Sequence, residues 1–363
     1  MEGLFGNVYR GKTVLVTGDT GFKGTWLCLW LLQMGANVIG FALPPETNPS
    51  MFTALGMDAQ IDHIDGDVRD FDGLQRVVAK YEPDIVLHLA AQALVRRSYR
   101  NPRDTFSTNV MGTVNLLEAV RRADRTRAVV NVTSDKVYSN REWVFAYREN
   151  DALGGLDPYS SSKACADLLT AVYQQPTFHH KEVGIATVRA GNVYGGGDWA
   201  DERLVPDIVR SLVEGAPIHL RNPGSVRPWQ YVLEPLSGYL SLAAEMYLSP
   251  AKFVGQWNFG PVASNALSVR EFTSRVGNQW GGSYSIVESG PQTMPEANLL
   301  KLDWTKAASE LRWRPVFTLD EGIREVVSWY QTYYLSSVDL ERGLTYISNY
   351  VAAAERERLA WTP

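Results

Sequence analysis

The segment "TVLVTGDTGFKG", residues 13–24, narrows the fold more than any other part of the chain. A β-rich apolar run ends in three spaced glycines, Gly18, Gly21 and Gly24, and a helical pattern follows at once. Glycines so placed let the backbone turn tightly and approach a pyrophosphate, which then sits on the free N–H groups of a helix N-terminus. A glycine pattern alone says little. Strand, turn and helix in this order, close to the start of the chain, is the context that gives it meaning. An ordinary strand-to-helix turn rarely needs three such glycines. The segment therefore predicts a dinucleotide-binding unit.

The pattern downstream repeats the same alternation. Residues 22–34 read as a helix, 37–43 as a second strand, and 84–91 and 128–134 as two more strands. A helix ending in "NVMGTVNLLEAVRRA" lies between the last two, and 183–195 reads as a later strand running into a loop. Continuous apolar strands separated by helices indicate an α/β fold with a Rossmann-type, doubly wound parallel sheet. The stretch "TWLCLWLLQMGANVIGFAL", residues 25–43, carries no charge and has nearly the length of a membrane span. Gln33, Gly35 and Asn37 interrupt it, so a buried helix, a turn and a buried strand are expected instead. After residue 195 Gly- and Pro-rich loops alternate with helices. The expected division is a dinucleotide-binding domain over 1–190, with a segment near 228–260 returning to it, and a smaller mixed α/β domain over 191–363 that shapes a substrate pocket.

Charge limits the ligands. With 363 residues, a formal net charge of −5 and a pI near 5.7, general nucleic-acid binding is not expected. Anionic ligands must be met by local Arg or Lys. The two cysteines, Cys28 and Cys165, fit no metal or disulfide pattern, and the opening residues lack the marks of a secretory leader. A reducing cytoplasm is the expected compartment.

Two further motifs carry the chemistry. "YSSSK" sets Tyr159 and Lys163 four residues apart, on one face of a helix. An ammonium beside a phenol favours the phenolate and makes Tyr a usable base. "TSDKVY" puts Ser134 at a strand end, where its hydroxyl can meet the same substrate oxygen, and follows it with Asp135 and Lys136. A Y-x-x-x-K spacing arises often by chance, and an Asp–Lys pair at a strand end is commonly a surface ion pair. The glycine turn, the "TS" strand end and the chain order together favour a site.

"TGDTGFKG", "HLAAQ", Ser134 and "YSSSK" resemble the extended short-chain dehydrogenase/reductase superfamily. The longer runs "NVTSDKVYSNREW", "YRENDALGGLDPYSSSKACAD", "RAGNVYGGGDWADERLVPD" and "RNPGSVRPWQYVLEPLSGYL" resemble the CDP-glucose 4,6-dehydratase family, from about the first strand to residue 320. The resemblance implies NAD held by Gly18, Gly21, Phe22, Lys23, Gly24, Asp67, Val68, Leu89, Ala90, Ala91, Thr108, Tyr159 and Lys163. It implies a CDP-glucose substrate met by Asn192, Arg203, Leu204, Arg221 and Arg227, and a homodimer built on the Tyr159 helix. Its reaction oxidises C4 of the hexose, eliminates water across C5–C6 and returns hydride to C6. An epimerase needs no extra acid and base; a dehydratase does. Lys136 is taken as the base at C5 and Asp135 as the acid at O6, with the reverse left open.

Some points depart from the pattern. The end of strand two, "GFALPP", has neither the acid that would hold an adenosine ribose nor a compensating Arg, so NADP is not excluded. Asp67 can reach the adenine or can simply be an exposed turn residue. Asp19 and Pro295 stand where the family usually has His, and a negative Asp19 near the cofactor phosphates can weaken or modulate binding. Arg97 can enter the pocket or cap a helix in solvent, and Trp229 can stack on the base or pack in the core. Two rival readings remain: an epimerase or a dehydratase for another nucleotide, and a non-catalytic dinucleotide sensor.

Overall fold

The computed structural model describes residues 1–178, 180–288 and 299–363. Seven strands form one sheet: β1 (Thr13–Thr17), β2 (Asn37–Ala42), β3 (Asp62–Asp65), β4 (Ile85–His88), β5 (Ala128–Val132), β6 (Gly184–Arg189) and β7 (Gly255–Asn258). Every neighbouring pair is parallel, and the order is β7-β6-β5-β4-β1-β2-β3. The order reverses between β1 and β4. Connections leave in opposite directions there, so a crevice opens at the carboxyl ends of those strands.

Both faces of the sheet are covered, which is why its central strands are apolar at successive positions. Val14 and Val16 face one core with Trp26 and Trp30, while Leu15 and Ile39 face a second with Leu74 and Leu117. The strands end sooner than the apolar runs suggest. Leu89–Ala91 and Thr133–Ser134 lie beyond β4 and β5. There the chain leaves the ladder and curls over the crevice: the Ala90 N–H donates to Thr17 Oγ1 at 3.3 Å.

The uncharged stretch resolves as expected into the helix Phe22–Gln33, a turn and β2. Residues Gly24–Leu31 are buried all round, not along one stripe. The cause lies at the other end of the chain. The helix Leu340–Arg356 covers the outer face, with Tyr346 edge-on to Trp26 and Tyr350 edge-on to Trp30 at 5.7 Å. Trp361 adds a stack on Phe5 at 5.1 Å. Fully burying each such side chain contributes roughly 1.5–3 kcal/mol. Among the described residues, no helix is long and apolar enough to cross a membrane.

Beyond the sheet lie the helices Leu204–Glu214, Val269–Trp280 and Leu319–Ser336, with short strand pairs between them. Ser268 with Glu271, and Thr318 with Glu321, close reciprocal caps at the last two helices. Each pair satisfies two otherwise orphan N–H groups, which fixes where the helix starts.

Candidate active site

The glycine turn is shaped by what it must avoid. Gly18 has φ +76°, and a Cβ there would lie 2.7 Å from the Ala90 nitrogen. At Gly24 a Cβ would lie 2.0 Å from the Gly18 carbonyl oxygen. The β1 turn and the β4 end, residues Leu89–Ala91, therefore approach as bare backbone. Gly21 precedes the helix Phe22–Gln33 and supplies no side-chain cap. A long helix with open N–H groups above a glycine cradle suits a dinucleotide pyrophosphate. Thr108 lies half-buried in the π-helical turn Ser107–Met111, and Val68 packs where Gly112 leaves room.

Asp19 does not carry a bare charge toward the phosphates. Its side chain is fully buried over Gly40, and His63 Nδ1 lies 2.7 Å from Oδ2. That hydrogen bond raises the His63 pKa. Asp19 is thus tied through Oδ2 to His63 inside the protein. Asp67 is bound to Arg69, whose hydrogen bonds hold its carboxyl below the usual range. Pro295 lies outside the described residues.

Ser134 is extended and accepts from the Lys136 N–H at 3.2 Å, which starts a short turn over Asp135–Val137. Its hydroxyl donates to Asp135 Oδ1 at 3.0 Å. Asp135 is 2% exposed and its N–H donates to the Ala190 carbonyl. Its carboxyl lies against Gly191, and the Asn192 amide donates to Oδ2 at 3.4 Å. Asn192 thus stands beside Asp135. Lys136 Nζ is 3.6 Å from Asp135 Oδ1 and remains about a third exposed. Acid and base sit side by side, one buried and one reachable.

Tyr159 and Lys163 ride on the helix Pro158–Tyr173. Asp157 caps it by accepting from the Ser160 N–H at 2.9 Å, and Pro158 fills the first turn. The Tyr159 N–H donates to Ser98 Oγ, which ties the start of this helix to the neighbouring helix Val95–Arg100. Both side chains are buried, and Lys163 Nζ donates to the Val132 carbonyl at 3.0 Å. Burial and then the charge of Lys23 lower Lys163 to about 7. The expected lowering of the phenol is not found: burial raises the Tyr159 pKa, and outweighs Lys136 and the Ser134 hydroxyl pulling it down. Lys23, brought down to about 8 by burial and by Arg203, extends this cluster of cations around Asp135.

The substrate-side residues spread along the loops. Arg203 precedes the helix Leu204–Glu214, pairs with Asp198 at 3.0 Å, and its charge is felt at Tyr159. Leu204 packs against the main core. Arg221 donates to the Glu202 carbonyl and lies 3.6 Å from Asp207. Arg227 sits on the strand Val226–Pro228, away from the Ser134–Lys136 turn in sequence and paired with Leu267. Trp229 stacks on Phe272 at 4.0 Å between centroids and donates to the Leu267 carbonyl, so it is a core residue. Arg97 pairs with Glu46 at 2.8 Å. With Thr47, Leu94, Ala200 and Asp201 these two line a depression of about 380 Å³.

Several residues had no signal strong enough to be singled out. His88 closes β4, with Nδ1 2.6 Å from Thr17 Oγ1, and burial lowers its pKa to about 3, so it stays neutral. Asp167 and Arg189 form an ion pair beneath the site, each 1% exposed. His88 stands inside "HLAAQ", and Asp167 lies one helical turn beyond Lys163. Those positions were the available clues.

A model of the GDP-mannose 4,6 dehydratase family matches residues 15–326. The chain belongs to that family. Within it, the chain is 47% identical over 355 residues to a CDP-glucose 4,6-dehydratase of Salmonella typhimurium, covering 96% of this chain and 99% of that one. It is 28% identical over 337 residues to a dTDP-glucose 4,6-dehydratase of Xanthomonas campestris, covering 88% and 93%. A dTDP-glucose 4,6-dehydratase of Streptomyces venezuelae, solved with NAD bound, superposes with a TM-score of 0.76 at 26% identity, covering 88% and 97%. A UDP-glucose 4-epimerase of Thermotoga maritima superposes at 0.78 with 22% identity, covering 89% and 99%, and shares the fold.

Proposed function

We propose that the chain is a CDP-glucose 4,6-dehydratase that turns CDP-D-glucose into CDP-4-keto-6-deoxy-D-glucose and water. The observation that carries this reading is the adjacent Asp135 and Lys136 at the crevice, in a chain 47% identical along almost its whole length to such an enzyme. NAD is the cofactor; bound, it accepts hydride from C4 and gives it back at C6. The bare-backbone cradle of Gly18, Gly21 and Gly24, with the N–H groups of Phe22 and Lys23 beyond it, suits its pyrophosphate. Leu89, Ala90, Ala91 and Thr108 would line its path toward Tyr159 and Lys163. Asp67 would approach the adenine only by giving up Arg69.

Tyr159 takes the proton from the 4-hydroxyl, and Ser134 turns its hydroxyl from Asp135 to donate to the same oxygen. The ketone so formed acidifies the hydrogen on C5. Lys136 removes that proton, and Asp135 protonates the 6-hydroxyl, which leaves as water. The proton on Lys136 then returns to C5; Tyr159 releases the proton it took from the 4-hydroxyl and Asp135 regains one through solvent, so the hexose loses one water and nothing else. Asp135 is buried beside Ser134, and Lys136, about a third exposed, lies 3.6 Å from its carboxylate, so both groups can reach one hexose. Arg203, Arg221 and Arg227 supply the cations a nucleoside diphosphate needs in an acidic protein.

The same reading gives residues 1–190 to cofactor binding, with β7 and its neighbourhood returning to that domain, and most of the remainder to the substrate. It also expects a homodimer or a larger homo-oligomer in the cytoplasm. Phe106, Met111, Leu168 and Val172 are exposed on the helices that flank Tyr159, and a partner copy would cover them.

Incubation with CDP-, dTDP-, UDP- and GDP-glucose, with and without added NAD, tests the proposal. A 4-keto-6-deoxy product from CDP-glucose is expected. A product inverted at C4 that keeps its 6-hydroxyl would make the chain an epimerase instead.

A further inference from the structure

The turn that holds Ser134, Asp135 and Lys136 is anchored from beneath at both ends. On the near side, Thr133 Oγ1 donates to Asp167 Oδ2 at 3.1 Å. On the far side, Tyr138 accepts from Arg189 Nη1 at 2.7 Å and donates to Asn258 Oδ1 at 2.8 Å. The two anchors are one object. Arg189 grips both oxygens of Asp167 through Nε and Nη2, each at 2.8 Å. Asp167 belongs to the helix of Tyr159 and Lys163, and Arg189 closes β6. One buried ion pair thus joins that helix, β6 and both flanks of the turn.

Stability alone does not account for such a pair. Apolar side chains of equal volume usually serve a core as well or better, because desolvating two charges offsets their attraction. What the pair offers is geometry. A guanidinium fork on a carboxylate has one good arrangement, and it fixes both partners in direction as well as distance. Arg189 also donates to the Glu149 carbonyl at 3.0 Å and lies over the Tyr138 ring, so its remaining reach is used.

Resting on the dehydratase reading above, we propose that Asp167 and Arg189 are positioning residues that set Asp135 and Lys136 against Tyr159, with the Tyr138 arm serving the elimination step. The division follows from the layout. Thr133 and Asp167 bear on Ser134 and the Tyr159 helix, which act in oxidation at C4. Tyr138 stands two residues past Lys136, which acts only at C5.

Tyr138→Phe tests this directly. The ring keeps its stack on Tyr147 at 5.1 Å, and only the hydroxyl is lost. Displacement of a reacting group by about 1 Å costs on the order of 10²-fold in rate. The variant should therefore oxidise C4 at close to the wild-type rate and eliminate water about 10²-fold more slowly. Quenched reactions should then contain the 4-keto hexose with its 6-hydroxyl in place, alongside reduced nicotinamide, with the melting temperature lowered by only a few degrees, because Asn258 Oδ1 loses its donor. Asp167→Asn should slow both steps. If Tyr138→Phe slows oxidation and elimination equally, or leaves elimination untouched in a folded protein, the assignment is wrong. Conversion of CDP-glucose is scored first in the wild type, so failure of the substrate reading shows there and failure of the positioning role shows only in the variants.

Discussion

Adding one methyl group at Gly191 tests how closely the strand-end acid must be held. A Cβ at this position would lie 2.0 Å from both Cγ and Oδ2 of Asp135. Carbon and oxygen atoms in ordinary contact stay about 3.5 Å apart, so the carboxyl must retreat by roughly 1.5 Å. The backbone itself accepts alanine, because Gly191 does not occupy the left-handed region. As Asp135 swings away it loses Ser134 Oγ at 3.0 Å and the Asn192 amide at 3.4 Å. Overfilling a packed site typically costs about 1–3 kcal/mol of stability, so the protein should fold with a modestly lower melting temperature. Misplacing a proton donor by that distance should slow dehydration about 10²-fold, or about 2.7 kcal/mol of barrier. Tyr159 and Ser134 keep their places, so oxidation at C4 should continue. Rapid-quench mass spectrometry on CDP-glucose, with reduced nicotinamide followed by absorbance, separates the two steps. Dehydration by Gly191→Ala at the wild-type rate would refute the placement of Asp135 as the acid.

Three further outcomes are expected. Lys136→Ala should still oxidise C4 while elimination falls by about 10²–10⁴-fold, the usual contribution of a positioned base; in the wild type, deuterium placed at C4 should reappear at C6, and its loss to solvent would exclude an enzyme-held hydride. Glu234 gives a signature in stability. Burial raises its pKa to about 7 from 4.5, although the N–H groups of Val316 and Phe317 and the Tyr350 hydroxyl all donate to it. The folded protein thus keeps a proton that the unfolded chain has already released. Its contribution to stability is complete below pH 4.5 and is lost as pH rises through 7, by about 3 kcal/mol in all. Urea unfolding across that window should show the decline in the wild type and not in Glu234→Gln; equal slopes would remove Glu234 as its source.

Local chemistry explains which features could be read early. The glycine turn, the Y-x-x-x-K helix and the "TSDK" strand end each depend on neighbours a few residues away, so their spacing carries their geometry. The uncharged stretch over 25–43 was legible as helix, turn and strand because polar residues interrupt it at the turn. What was not legible depends on partners far along the chain. Nothing near Asp19 says that His63, 44 residues on, meets its carboxylate at 2.7 Å. Tyr159 was expected to be acidified by Lys163, yet the Lys163 ammonium turns to the Val132 carbonyl and burial dominates the phenol.

The amino-acid order by itself determined the α/β class, the cofactor cradle and the set of chemical groups brought to the crevice, because strand alternation and turn chemistry act over a few residues. The tertiary structure alone decided which charges are matched and which proton affinities move. Burial depends on packing between elements as distant as the helices Phe22–Gln33 and Leu340–Arg356, and the ion pair of Asp167 with Arg189 exists only once the helix of Tyr159 lies against β6. Desolvation and long-range pairing have no local signature, so they had to be seen in space.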